Sequence, residues 1–278
     1  MKHLFLSINL LIFLSIHSQN NIVKYKVGNL FGFKNIKTQK IIFEPKFIYA
    51  EDFIDGLAIV QEDNGVSNIN SLPNYKILKD NGNYLDNEIY GTAKNIGKGL
   101  VIIGKLGNKD TDKKEGTIIF GSTLLGIIDK DANKILPLEY STIGSVFDDL
   151  IIVSKVDKSM SVNYGIINLR GAFIMPLQKD FKINDFQCGV AVLQYKNQKG
   201  LINKEGKILI EPTTSNYISI SQFNKFCISE VTTSSRKYGL INSEGRLLAE
   251  TIYTRSSGLS DKGVTYKEAE FSGEGLKK

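Results

Sequence analysis

The stretch KGLINKEGKILIEP, from Lys199 to Pro212, is written almost again as YGLINSEGRLLAE, from Tyr238 to Glu250. A chain that repeats itself builds one local structure many times, so the repeat constrains the fold more than any other feature. Further copies are GIINLRGAFIMP at Gly165, GIIDKDANKILP at Gly126 and a looser GFKNIKTQKIIFEP at Gly32. The most degenerate copy, KILKDNGNYL, begins at Lys76. Unit starts at 32, 76, 126, 165, 200 and 239 therefore lie 35 to 50 residues apart. A second motif follows in each unit: FIDGLAIV at Phe53, IGKGLVII at Ile96, FDDLIIVS at Phe147, FQCGVAVL at Phe186, FNKFCISE at Phe223 and SDKGVTYK at Ser260.

The local chemistry of each unit predicts β-structure. LIN and KILI are short apolar runs with β-branched residues. Between them lies Asn203-Lys204-Glu205-Gly206, or Asn242-Ser243-Glu244-Gly245. Asn bonds its own turn backbone, and Gly takes the left-handed position of a bulged hairpin loop. Pro45, Pro137, Pro176 and Pro212 follow the second strand, where a missing N–H does least harm. A stretch such as YISISQF adds a third strand and the GVAV-type motif a fourth. No window reads as an amphipathic helix.

Aligned on that motif, Leu57, Leu100, Ile151, Val190, Cys227 and Val264 form an apolar column expected to point inward. Two places earlier, Asp55, Lys98, Asp149, Cys188, Lys225 and Lys262 form a column expected to face water. With its aromatic-Gly strand, turn Gly, Pro and F-x-x-G-L-A-V strand, the chain resembles the WG-repeat (KWG-repeat) family over roughly residues 24 to 270. It contains no Trp, and the signature Trp position holds Phe31, Tyr75, Leu125, Tyr164, Lys199 and Tyr238. The resemblance implies an all-β repeat protein, often exported and usually without an assigned activity. About six short antiparallel units suit a β-propeller, and the alternative is an open, curved solenoid of hairpins. VKYKV near one end and GVTYKEAEF near the other are both strands of the GVAV type, whereas clean ring closure needs only one.

The chain opens MKHLFLSINLLIFLSIHSQNN, a positive start followed by an apolar run from Leu4 to Ile16. That is the form of a signal peptide over residues 1–19, leaving residues 20–278 as the repeat domain and an exported, periplasmic or extracellular protein. A buried N-terminal helix and an uncleaved anchor are the other readings of the run. No later apolar segment reaches membrane-spanning length. The net charge of +6 is scattered, with no basic stripe of the kind that binds nucleic acid.

Both histidines, His3 and His17, fall in the leader. The processed chain then lacks the usual general base and His-based metal sites. GLINKEGKI and GKGLVIIG fail the phosphate-loop and dinucleotide patterns, because strands follow them. Asp110, Asp112 and Glu115 in the insertion Gly107–Gly116 match no calcium-loop spacing. Glu205 and Glu244 are explained by their turns. Cys188 and Cys227 fall in opposite columns, which argues against a disulfide. No catalytic, cofactor or metal residue is assigned. The expected function is a monomeric, non-catalytic scaffold for a protein or envelope polymer. A polysaccharide-binding module using the 12 Tyr, and a carboxylate-based hydrolase, are the alternatives.

Overall fold

The computed structural model describes residues 21–63, 74–105, 124–187 and 189–212, and beyond them 217–223, 228–233, 235–242, 244, 246–253, 264–265, 270–271 and 276–277. Every element among these is a β-strand, and every pairing is antiparallel. The first sheet holds β1 (Ile22–Val27), β2 (Leu30–Asn35), β3 (Ile41–Ala50), β4 (Leu57–Glu62) and β5 (Tyr75–Lys79). The second holds β6 (Thr92–Gly97), β7 (Leu100–Gly104), β8 (Leu125–Asp129) and β9 (Lys134–Tyr140). The third holds β10 (Thr142–Phe147), β11 (Leu150–Val156), β12 (Val162–Asn168) and β13 (Phe173–Lys179). The fourth holds β14 (Phe181–Ile183), β15 (Val190–Tyr195), β16 (Gln198–Asn203) and β17 (Ile208–Ile210). The fifth holds β18 (Tyr217–Phe223), β19 (Ile228–Thr233), β20 (Tyr238–Asn242) and β21 (Leu247–Tyr253). A last small sheet holds β22 (Val264–Thr265), β23 (Glu270–Phe271) and β24 (Leu276–Lys277).

The second to fifth sheets are four-stranded meanders of the kind that make propeller blades. Each runs through an entry strand, a GVAV-type strand, a glycine strand and a proline strand, although β21 itself lacks the Pro. The sheets are thus cut half a unit away from the sequence repeat: a GVAV-type strand pairs with the glycine strand of the next copy. In the first sheet β3 serves as proline strand and entry strand at once. Residues 41–47 pair with β2, with a bulge at Pro45 and Lys46, residues 47–50 pair with β4, and Phe47 is paired on both sides.

The glycine and the proline of each unit belong together. A side chain at Gly126 would place its Cβ 2.7 Å from the Leu136 carbonyl oxygen and 3.1 Å from Pro137. Gly32 faces Phe43 and Pro45 in the same way, Gly165 faces Met175, and Gly200 faces Ile210 and Pro212. The partner strand bulges at its proline, shifting the register between Leu125 and Ile127, and the bulge pushes a carbonyl against the glycine.

The GVAV-type strand is buried on both faces, and its alternation divides the labour. Leu57 and Ile59 of β4 pack against Val101 and Ile103 of the following sheet. Ala58 and Val60 pack backward on Phe33, Phe43 and Phe47. Leu100 and Ile102 meet Ile151 and Val153 of the third sheet, and Ala191 and Leu193 of the fourth pack back on Leu150 and Ile166. Val190 and Val192 reach Val231 and Ile241 of the fifth. Four of these clusters are therefore seams between consecutive sheets, whereas the cluster of Phe33, Phe43 and Phe47 lies within the first sheet.

Pairing registers correct the apolar column. Leu57, Leu100, Leu150, Val190 and Ile228 share one place, each opposite the end of the glycine strand. Leu150 stands where Ile151 was expected, and Ile228 where Cys227 was. The cause in the third sheet is its turn: β10 and β11 close as Phe147↔Leu150 around Asp148-Asp149, so Asp149 occupies the glycine place. Ile151 is buried all the same, on the opposite face. The water-facing column runs through Asp55, Lys98 and Asp148, all exposed. Cys188, Cys227, Lys225 and Lys262 lie outside the described residues.

That turn is strained. Asp148 and Asp149 both adopt left-handed backbone, at φ of 44° and 63°. The matching second positions elsewhere are Gly56, Gly99 and Gly189. Asp149→Gly is expected to stabilise the protein by about 0.5–1 kcal/mol, relieving a conformation that disfavours a Cβ. The Lys98–Asp149 ion pair it removes, 3.2 Å long, is exposed and contributes little. Urea denaturation checks this, and an unchanged or lower midpoint would refute it.

Candidate functional site

The two hairpins of each unit lie at the same end of its sheet, because an even meander returns there. Backbone bonds tie them together. The Asp80 N–H donates to the Gly56 carbonyl at 3.0 Å, and the Lys204 N–H to the Gly189 carbonyl at 2.9 Å. In the second hairpin Asn203 accepts through both oxygens. Its side chain takes the Lys207 N–H at 2.8 Å, and its carbonyl takes the Gly206 N–H at 3.0 Å. Asn168, Asp129 and Asn242 hold their turns alike. At Asp129 burial pushes the carboxyl up, but bonds from Asn133 and the Asp131 N–H outweigh it and leave the group below its ordinary value.

Turns of one unit also touch those of the next. Asn95 donates to the Ile54 and Leu57 carbonyls at 3.1 and 3.2 Å. Lys79 lies 3.9 Å from Asp131, and Lys98 reaches Asp149. Gly206 sits under the Ile174 carbonyl of the preceding sheet. The result is a continuous, charged edge made of turns. It dips into a depression of about 490 Å³ lined by Asp148, Gly189, Asn203, Lys204, Glu205, Lys207 and Glu244, from three consecutive sheets. Glu205 and Glu244, read from the sequence as turn residues, are exposed here. The insertion with Asp110, Asp112 and Glu115 lies outside the described residues.

A second constellation was not legible in the sequence. Glu62, at the far end of β4, accepts from Lys76 at 2.7 Å, from Lys46 at 3.0 Å and from the Tyr84 hydroxyl. Both ammonium groups also lie over the Tyr84 ring, at 5.3 and 4.9 Å. Burial raises the Glu62 carboxyl, but the bonds from Lys76, Tyr84 and Lys46 override it and bring it down to about 2. A carboxylate held ionised in this way is a poor proton donor, so the cluster acts as a cross-tie between β3, β4, β5 and the segment after β5. The one sequence signal was Lys76, a lysine where most copies have the unit-opening Gly.

The cross-tie has a pH signature. A carboxyl depressed on folding contributes stability above its ordinary pKa of 4.5, and that contribution is lost as pH falls toward 2. Acid titration of the melting temperature is therefore expected to drop more steeply across this window in the native protein than in Glu62→Gln. Parallel curves would show that Glu62 does not carry the effect.

Among known families, the model of the WG-containing repeat matches residues 31–65 and 126–158. Two segments of the chain thus match the WG-containing repeat. They open on Phe31 and Gly126, at the glycine strands of two units, and close beyond their GVAV-type strands. No curated protein matches the sequence. Among solved structures, Hsv2p of Kluyveromyces lactis is 11% identical, over 82% of this chain and 75% of its own, with a TM-score of 0.32. The N-terminal domain of Nup159 is 8% identical over 92% and 85%, with a TM-score of 0.30. Likenesses this loose carry no argument about the WG units.

Proposed function

We propose that this WG-repeat chain is an exported, non-catalytic scaffold that binds a protein or an envelope polymer along its turn edge. The observation that carries the reading is the continuity of that edge across consecutive sheets. Its backbone is fixed by Asn, Asp and Gly, while the exposed side chains of Lys98, Asp148, Lys204 and Glu205 project from it. The leader supports export. The carboxylates held below their ordinary range, at Asp129, Asp157 and Glu62, serve two turns and a cross-tie.

Two measurements test this. Fractionation of the native host, with N-terminal sequencing, is expected to find the protein outside the cytoplasm, beginning near Gln19 or Asn20. Intact Met1 in a cytosolic fraction refutes export. For the binding edge, chemical crosslinking in the native envelope is expected to join a partner through Lys98 or Lys204. That crosslink should be lost in a variant carrying Lys98→Ala, Asp148→Ala, Lys204→Ala and Glu205→Ala. A crosslink that survives these changes places the partner elsewhere.

A further inference from the structure

The first sheet departs from the second to fifth sheets in three ways. First, β4, β7, β11, β15 and β19 each have an antiparallel entry strand along one edge, namely β3, β6, β10, β14 and β18. The equivalent strand β1 has none among the described residues. It closes on β2 as Val27↔Leu30, and the Asn21 carbonyl accepts from the Ile36 N–H. By antiparallel parity, Val23, Tyr25 and Val27 share the bonds with β2, so the N–H and C=O groups of Ile22, Lys24 and Lys26 point outward along the open edge.

Second, its outward face is not built to meet another sheet of this array. The position held by Leu78, Ile128, Ile167, Ile202 and Ile241, all buried, is Lys34 in β2. The Lys34 ammonium lies over the Tyr25 ring, 5.8 Å from its centre. Val27 is 60% exposed. Third, Asn21–Phe43 contains Lys24, Lys26, Lys34, Lys37 and Lys40 and not one Asp or Glu, in a chain whose net charge is +6. Lys26 flanks the open edge on one face, over Phe31, and Lys34 of the neighbouring β2 lies on the other, while Lys24, over the same Phe31 ring, turns inward to the Ala50 carbonyl at 2.9 Å and to Asp52 at 3.6 Å.

We propose that β1 is a strand acceptor: an extended acidic segment of a partner protein adds antiparallel to it, in the place the entry strand takes beside β4, β7, β11, β15 and β19. Backbone bonds to Ile22, Lys24 and Lys26 supply the affinity, and carboxylates opposite Lys26, within the lysine-rich stretch, supply the selectivity. A second copy is disfavoured by the same charges, since pairing two β1 strands through their outward groups sets lysine against lysine. This surface is separate from the turn edge, and its test stands or falls independently.

The probe is a fluorescent, end-blocked peptide of four Thr-Glu repeats, with a peptide of four Thr-Lys repeats as its counterpart. Both are added to protein purified from its native host. The acidic peptide is expected to bind at least tenfold more tightly and to protect the amides of Ile22, Lys24 and Lys26 from hydrogen exchange. Lys26→Pro removes an outward donor and leaves the bonds to β2 in place. It should weaken binding at least tenfold with little change in melting temperature. Lys26→Glu should weaken the acidic peptide and strengthen the basic one. Equal affinity for both peptides, binding without new protection at those three amides, or a dimer that Lys26→Pro abolishes would each overturn the proposal.

Discussion

Gly206→Val is expected to lower the melting temperature by about 6–12 °C, the equivalent of about 3 kcal/mol in a domain of this size. Two costs add. Gly206 sits at φ +78°, where a β-branched residue is strained. A Cβ there would also stand 2.9 Å from the carbonyl oxygen of Ile174, which belongs to the preceding sheet. Backbone on both sides leaves neither partner room to move. Lys204→Ala, in the same turn and exposed, serves as the control and should change little. If the two variants melt together, the seam between the third and fourth sheets does not depend on this contact.

Gly126→Ala is expected to cost about 2–3 kcal/mol, although it adds one methyl group to an ordinary strand. Its Cβ would meet the Leu136 carbonyl at 2.7 Å, and relief requires the Pro137 bulge to shift. The damage should be local: hydrogen exchange is expected to speed up in β8 and β9 well before it does in the fourth sheet. A neutral Gly126→Ala would mean that the bulge is soft, and that glycine and proline co-occur for some other reason.

The parts of the fold visible in the sequence are those written by short-range chemistry. Asn203 and Gly206 announced their turn because an Asx carbonyl and a left-handed glycine act within five residues. Gly126 and Pro137 announced their strands in the same way. The sheet boundaries were hidden because β3 runs from its pairing with β2 into its pairing with β4 with no turn signal to mark the crossing. The apolar column slipped by one at Leu150 because Asp148-Asp149 makes, without glycine, a turn that other units make with Gly56 or Gly99. Burial on both faces then hid the slip, since Leu150 and Ile151 are equally apolar. The Glu62 cross-tie joins side chains that converge only after three strands have paired, so no spacing rule foretells it. The turn edge was foreseeable as a set of turns, whereas the abutment of successive turns is a property of how the sheets stack.

The passage of β3 from its pairing with β2 into its pairing with β4 has a consequence for how the protein is made. Where a proline strand runs on into an entry strand, no segment must wait for a distant partner before its own ladder can close. A growing or threading chain can therefore complete one seam each time another forty or so residues emerge, using only neighbours already present. Contacts of low sequence separation close quickly and at small entropic cost. Such a chain matures in the direction in which it is released, first sheet first. The lysine-rich β1, whose outer edge has no strand beside it among the described residues, then belongs to the oldest folded surface of the molecule.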